Sequence, residues 1–211
     1  MEVNLFFRLS FLALWALLAV IRGYYGRKTE THSTIAGAME KLKTAIAEED
    51  MGTGFKIITA IITIIGAVGL VLYLLSPPWW TWTFIPLGEW IQWLGIVIAL
   101  VPIFFLIWVH RHLDKQWSIA LELREDHKLI TTGPYRYVRH PMYLGIFVYT
   151  FGLMMISLDM LVILFFAFTI WVNYRRIPRE EQMLIEEFGD EYLEYMKRSG
   201  SLLPRFRRDQ V

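Results

Sequence analysis

Long apolar runs separated by short charged segments dominate this sequence. Runs of about 17 to 25 apolar residues are long enough to cross a bilayer as helices. The runs that meet this length, or nearly do, lie near residues 4–21, 55–75, 88–109, 142–157 and 160–175. The last two share a very short link at residues 157–159, which predicts a tight helical hairpin. The pattern therefore predicts an all-α integral membrane protein with five transmembrane helices.

The Lys and Arg residues collect in alternate segments between these runs. The loops 22–56 and 110–141 carry six each and the tail from 175 carries eight, whereas the loops 76–87 and 157–159 carry none. Since positive residues collect on the cytoplasmic side, we expect the N-terminus outside and the C-terminus in the cytoplasm. The first run has an acidic flank before it and no clear cleavage site, so we expect a retained span rather than a signal peptide.

Residues 35–48 have a different pattern. Ile35, Met39, Leu42 and Ile46 are three and four residues apart and charged residues lie between them, which predicts an amphipathic helix. We expect this helix to lie along the inner membrane face.

Composition narrows the possible functions. Hydrophobic residues make up 55% of the 211 positions, against about 45 to 50% in ordinary soluble domains. A formal charge of +1 excludes an overall polyanion-binding surface, so nucleic acid is not an expected partner. The chain has no cysteine, which excludes disulfides, thiolate zinc sites and thiol nucleophiles. We expect no metal site.

Two polar clusters lie at ends of the predicted spans on the positive side. Residues 133–143 place Arg139 and His140 directly before an apolar run, and residues 175–181 follow the last span. Ionisable side chains at a membrane boundary are functional candidates, although His140 alone fits an interfacial cap equally well. Because one hairpin joins the two clusters, we expect them to lie close together and form a divided site.

Arg176 and Glu180 are four residues apart in the second cluster. If the helix continues through Pro178, both side chains lie on one face and can contact the same ligand. The alternative is an ordinary intrahelical ion pair, which is worth only about 0.3 to 0.5 kcal/mol when exposed.

Over residues 115 to 200 the order of motifs resembles the isoprenylcysteine carboxyl methyltransferases and related membrane methyltransferases, which include phospholipid methyltransferases. The matching motifs are His127-Lys128-Leu129-Ile130, Gly133-x-Tyr135, Arg139-His140-Pro141-x-Tyr143-x-Gly145, Arg176-x-x-x-Glu180-Glu181 and Phe188-Gly189-Asp190-Glu191-Tyr192-x-x-Tyr195. The first spans match only in being apolar.

The resemblance implies S-adenosylmethionine as the cofactor. The residues that it implies for cofactor binding are His127, Lys128, Leu129, Ile130, Tyr135, His140, Pro141, Met142, Tyr143 and Glu180. It implies that Arg176 is the catalytic residue and binds the substrate carboxylate, and Arg139 is a further candidate for substrate binding. Enzymes of this family can offer a glutamine ahead of the first motif, where this sequence has Ala120.

The expected activity is methyl transfer to the carboxylate of a lipid-modified, isoprenylcysteine-like substrate that enters from the bilayer. A carboxylate with a pKa of about 4 is ionised at neutral pH, so no general base is needed. We expect the active site on the cytoplasmic face of a multi-pass membrane protein. Residues 1–109 would hold three N-terminal transmembrane helices and the amphipathic helix, and residues 110–211 the catalytic region. That region would combine the fourth and fifth spans with a cytosolic part built from the 110–141 loop and the C-terminal helix.

Three alternatives stay open. Phospholipid N-methylation would need a deprotonated nitrogen and hence a base, for which Arg176 is poorly suited. A sterol-reductase-like enzyme would use NADPH, but such enzymes have many more spans. A non-catalytic membrane scaffold would use the polar clusters only to cap helices.

Overall fold

The structure, a computed structural model, describes residues 4–29, 53–113 and 129–205. Within these ranges it contains six α-helices and two short 3₁₀ turns. The helices are α1 (Leu5–Thr29), α2 (Thr53–Leu75), α3 (Glu89–Leu113), α4 (Pro141–Ser157), α5 (Met160–Phe188) and α6 (Asp190–Arg198). The turns are Pro78–Thr83 and Gly133–Arg136. The described residues form isolated β-bridges but no sheet.

Four of the described helices are long and apolar enough to cross a membrane, namely α1, α2, α3 and α5. The fifth, α4, is equally apolar in character but has only 17 residues. The all-helical membrane architecture predicted from the sequence is thereby confirmed, whereas the count of five spans and their orientation stay predictions. The amphipathic helix predicted at 35–48 lies outside the described residues.

Small residues bring α3 and α4 together along the most extensive helix contact of the bundle. A Cβ added to Gly152 of α4 would lie 2.6 Å from the backbone nitrogen of Ala99 and 2.8 Å from the carbonyl oxygen of Gly95 on α3. Such small residues allow helix backbones to approach closely in membranes. This contact fixes α4, which begins in the first polar cluster, against α3.

The core lies where α1 crosses these two helices. Phe7, Phe11 and Leu14 of α1 are buried there. They pack in one cluster with buried residues of the other four long helices, which are Tyr73, Ala99, Ile103, Tyr149, Leu153, Ile156, Val162 and Phe166. Contacts in this cluster hold α2 and α5 to the rest of the bundle.

Asp159 closes the turn between α4 and α5 and is fully buried. Its Oδ1 accepts hydrogen bonds of 3.0 Å from the backbone nitrogens of Leu161 and Val162, which caps the N-terminus of α5. Its Oδ2 accepts hydrogen bonds from Trp80 Nε1 at 2.9 Å and from Thr83 Oγ1 at 2.5 Å. One carboxylate therefore joins the hairpin turn to the loop between α2 and α3.

We expect Asp159→Ala to destabilise the fold by about 2–4 kcal/mol, because four donors, three of them buried, lose this carboxylate as acceptor. Thermal unfolding of the protein in detergent measures the loss. Glu187→Ala, on an exposed position of α5, is the matched control and should leave the melting temperature nearly unchanged. If Asp159→Ala has the same melting temperature as the control, Asp159 does not have this stabilising role.

Candidate active site

Gly133 directs the chain into the first polar cluster. Its φ of 61° lies in the left-handed region that favours glycine. It also packs directly on the imidazole of His112 at the end of α3, where a Cβ would collide with the ring. The turn that follows buries Pro134 and Tyr135. The Gly-x-Tyr motif thus holds Tyr135 at the end of α3.

The next residues pair with the C-terminal tail through their backbones. Arg139 N donates to the carbonyl oxygen of Gly200 at 2.8 Å, and His140 N donates to that of Ser201 at 3.0 Å. Gly200 N in turn donates to the carbonyl oxygen of Tyr137 at 3.1 Å. This short extended pairing holds His140 immediately before Pro141, the first residue of α4.

The second cluster is helical throughout, because α5 continues through Pro178 as one helix from Met160 to Phe188. Arg176 and Glu180 therefore lie on one face of α5. The hydroxyl of Tyr143, in the first turn of α4, is within hydrogen-bonding reach of Glu180 and within electrostatic range of Arg176. The hairpin brings the two clusters together, as the sequence predicts.

His140 lies between the two glutamates of α5. Its side chain is nearly fully buried, with Nε2 at 3.2 Å from Glu181 Oε1 and Nδ1 at 3.8 Å from Glu180 Oε2. The His140 and Tyr143 rings are neighbours, with centroids 5.8 Å apart. Of the two carboxylates, that of Glu180 is the more exposed, at 31% against 17% for Glu181. Glu180 is thus the one more accessible to a ligand.

Arg139 contacts protein groups on three sides. Its Nε lies 2.8 Å from Glu181 Oε1, and its Nη1 donates to the carbonyl oxygens of Met196 at 3.2 Å and Ser199 at 2.6 Å. Those carbonyls belong to the C-terminal end of α6, where a cation is favourable. This geometry fits a structural role that ties α4, α5 and α6 together. Its assignment to substrate stays a prediction.

Glu181 is the residue that the sequence analysis left out of the site. It accepts from both Arg139 and His140, so it positions two residues of the first cluster. The sequence offered one signal, its place directly after Glu180 in the Arg-x-x-x-Glu-Glu motif. Nothing in the sequence distinguishes which carboxylate faces inward, because that depends on the rotation of α5 against α4.

Two buried tyrosines, Tyr135 and Tyr195, pack next to the site. Tyr195 OH donates to the carbonyl oxygen of Tyr135 at 2.6 Å. Burial raises the pKa of Tyr195 to about 12. Burial, with the nearby Glu180 carboxylate, also raises the pKa of Tyr135 well above its usual range. Both phenols therefore stay neutral at physiological pH and act as hydrogen-bonding groups.

The remaining predicted residues fall in different places. Leu129 and Ile130 are half-buried in an irregular segment before the Gly133 turn, and Pro141 and Met142 form the start of α4. His127, Lys128 and Ala120 lie outside the described residues. Within the described ranges, no group of three or more His, Asp or Glu side chains could hold a metal ion.

The fold and the site define a class of protein: a bundle of apolar helices with a polar site at one end, formed where the first turn of α4 lies beside the second half of α5. Residues 93–186 match the model of a family described as the isoprenylcysteine carboxyl methyltransferase (ICMT) family. The match covers just under half of the chain and includes α4, nearly all of α5 and the polar residues from Tyr135 to Glu181. This region of the chain is therefore similar to the isoprenylcysteine carboxyl methyltransferase family.

Similar curated proteins carry the same description. The protein-S-isoprenylcysteine O-methyltransferase of Schizosaccharomyces pombe is 38% identical over 87 residues, 41% of this chain and 37% of that protein. The Saccharomyces cerevisiae enzyme of that name is 41% identical over 87 residues, 41% of this chain and 36% of that protein. The Homo sapiens enzyme is 39% identical over 84 residues, 39% of this chain and 30% of that protein. The matched segment spans about a third of the length of these relatives.

A solved structure has a similar fold over more of the chain. It is described as the eukaryotic intramembrane Ras methyltransferase ICMT, and it covers 92% of this chain and 67% of its own, with a TM-score of 0.53 and 17% sequence identity. At this identity the likeness concerns the fold alone. It includes helices of this chain that lie before the region matched by the family model.

We expect Glu181→Ala to lower the stability by about 1–3 kcal/mol, because Arg139 and His140 both lose their side-chain acceptor. Thermal unfolding measures the change. The double variant with Arg139→Ala should lose less than the sum of the two single variants, because the residues share one contact. The control is Glu194→Ala, whose partner Lys197 is exposed, and it should melt like the wild type. Additive losses for Glu181 and Arg139 would rule out the coupling.

Proposed function

We propose that this protein is an S-adenosylmethionine-dependent membrane methyltransferase that acts on the carboxylate of an isoprenylcysteine-like substrate. The observation that carries the proposal is the meeting of His140, Tyr143, Arg176 and Glu180 at one end of the helical bundle. All four lie in the region that matches the family. The names of the relatives, protein-S-isoprenylcysteine O-methyltransferase, support the choice of substrate class.

The described residues fit the cofactor by their chemistry. S-adenosylmethionine carries an ammonium group, and Glu180 offers a partly exposed carboxylate to bind it. Tyr143 and His140 offer ring and polar atoms beside that carboxylate. Tyr135, together with residues His127 to Ile130 and Pro141 and Met142, completes the proposed cofactor site.

Arg176 holds the substrate carboxylate in this proposal. A guanidinium binds a carboxylate through two parallel hydrogen bonds, which fixes its orientation as well as its position. Arg176 lies one helical turn before Glu180 on the same face of α5. The substrate carboxylate and the cofactor ammonium are therefore held by neighbouring groups of one helix.

The reaction needs little from the protein beyond this placement. When bound, S-adenosylmethionine supplies a methyl group on cationic sulfur: a lone pair of the carboxylate oxygen forms the new O–C bond as the C–S electron pair passes to sulfur. No proton is transferred, because the substrate carboxylate is already ionised at neutral pH. Holding the carboxylate in line at near-attack distance supplies most of the rate enhancement.

The proposal includes a topology. We place the N-terminus outside and the site on the cytoplasmic face, with α4 and α5 as the fourth and fifth spans. The distribution of Lys and Arg supports this orientation. Residues 110–211 form the catalytic region, and residues 1–109 supply the first three transmembrane helices. A lipid-modified substrate then reaches the site laterally from the bilayer.

The acceptor is tested with purified protein in nanodiscs and methyl-labelled S-adenosylmethionine. The wild type should label a farnesylcysteine analogue with a free carboxylate, and Arg176→Ala should lower this turnover at least a hundredfold while binding S-adenosylhomocysteine normally. Arg175→Ala, an exposed neighbour that lies over the Trp171 ring, is the control and should stay active. If phosphatidylethanolamine is labelled instead, the result favours amine methylation. If neither compound is labelled, both the isoprenylcysteine-like acceptor and the phospholipid acceptor are wrong.

Glu180→Ala should weaken the binding of S-adenosylhomocysteine about tenfold or more, because the cofactor ammonium loses its carboxylate partner. Isothermal titration measures the affinity. Glu187→Ala changes an exposed glutamate of the same helix and should bind normally. If Glu180→Ala binds S-adenosylhomocysteine as tightly as the wild type does, Glu180 does not bind the cofactor. That result would leave the proposed acceptor unaffected.

A further inference from the structure

We propose that Arg22 of α1 is a second cation of the site and binds the substrate carboxylate together with Arg176. This inference rests on the proposed function and adds a residue that lies before the region matched by the family model. It also gives α1 a part in substrate recognition, beyond its part in the core.

The helical spacing of α1 turns Arg22 toward the bundle. The residues of α1 that pack in the core run along one stripe, which includes Leu14, Leu18 and Ile21. Arg22 is four residues after Leu18 and three before Tyr25, so it shares this stripe. Tyr25 lies against α3, with its ring centroid 4.8 Å from that of His110. The stripe therefore continues to the end of α1 at the level where α3 approaches the site.

Arg22 lies near groups of two other helices at that level. It is within electrostatic range of the Tyr143 hydroxyl on α4 and of His110 on α3. Arg176 acts on the same Tyr143 hydroxyl from α5. Guanidinium groups of two different helices thus act electrostatically on one tyrosine hydroxyl, which is also within hydrogen-bonding reach of Glu180. A pair of cations placed in this way suits an anionic ligand.

A comparison with Arg8 separates the two arginines of this span. Arg8 lies near the other end of α1, where its Nη1 donates to the carbonyl oxygen of Leu74 at 3.1 Å and so closes the C-terminal end of α2. Arg22 lies at the site end. An ionisable residue inside an apolar span is costly and usually faces the bundle interior for a functional reason. Arg22 therefore lies near Tyr143 at the opposite end of α1 from Arg8.

Two arginines are compatible with the reaction. A carboxylate has two oxygens with about four lone-pair positions. Arg176 and Arg22 can occupy some of these, while one lone pair stays directed at the methyl group. With cations on two sides, the carboxylate can neither rotate freely nor withdraw into water. We therefore expect Arg22 to act on substrate binding, with little effect on cofactor binding.

The test compares Arg22→Ala and Arg22→Lys in the full-length protein in nanodiscs. Methyl transfer to a farnesylcysteine analogue with a free carboxylate gives KM and kcat, and competition by the corresponding carboxamide gives the preference for a charged acceptor. Arg22→Ala should raise KM about tenfold and reduce the preference for acid over amide by a similar factor. Arg22→Lys should restore part of both. Affinity for S-adenosylhomocysteine should stay within about twofold of the wild type.

Arg111→Ala is the matched control, since Arg111 is an exposed cation near the same end of α3. It should leave all three readouts unchanged. An Arg22→Ala protein with the KM and acid preference of the wild type overturns the inference while the proposed function stands. An equal loss of S-adenosylhomocysteine affinity overturns it too, because Arg22 would then serve the cofactor.

Different results would contradict the proposed function and the proposed role of Arg22. If the wild type binds S-adenosylhomocysteine but does not methylate the analogue, the proposed acceptor is wrong, and the role of Arg22 in binding it is wrong too. If Arg22→Ala does not fold, Arg22→Gln keeps the length and hydrogen-bonding capacity of the side chain without its charge. An unchanged acid preference in Arg22→Gln then overturns the inference.

Discussion

The short turn at Asp159 is the constraint on which the site depends. Because α4 and α5 are joined there without a spacer, they must run side by side from a common end. The 17 residues of α4 rise about 25 Å, and the same rise along α5 from Met160 ends near Arg176. The first turn of α4 is therefore level with residues 176–181. The two polar clusters meet because the part of α5 that precedes Arg176 is about as long as α4.

At the site end, polar groups are stabilised by one another. Burying a charged group is costly unless it is paired and hydrogen-bonded. Glu181 meets this condition for Arg139, and Arg139 in turn binds the last carbonyl groups of α6. The tail then pairs with residues 137–140 through its backbone. His140 is thus held by a closed set of contacts from α4, α5 and α6, which leaves Glu180 as the more accessible carboxylate.

The sequence predicted what depends on local pattern. Apolar runs predicted the long helices and the hairpin, and the four-residue spacing of Arg176 and Glu180 predicted a shared face once α5 proved continuous. It did not reveal Glu181 as the inward carboxylate, because that follows from the rotation of α5 against α4. In the sequence, Arg22 is only one of the six positive residues of the 22–56 loop, and its role near the site could not be predicted because its neighbours belong to α3 and α4. The amphipathic helix at 35–48 and the residues His127 and Lys128 lie outside the described residues and stay predictions.

The position of the site matches the chemistry of the proposed substrate. An isoprenyl chain partitions into hydrocarbon, at about 0.8 kcal/mol for each buried CH₂, while its carboxylate stays at the polar boundary. A site at the ends of apolar helices therefore receives the reactive group at the correct depth without needing to extract the lipid. Arginines from α1 and α5 would then act on a group that the membrane has already positioned along its normal. The protein then has only to fix the position of the carboxylate in the plane of the membrane. Cations on two separate helices can do this.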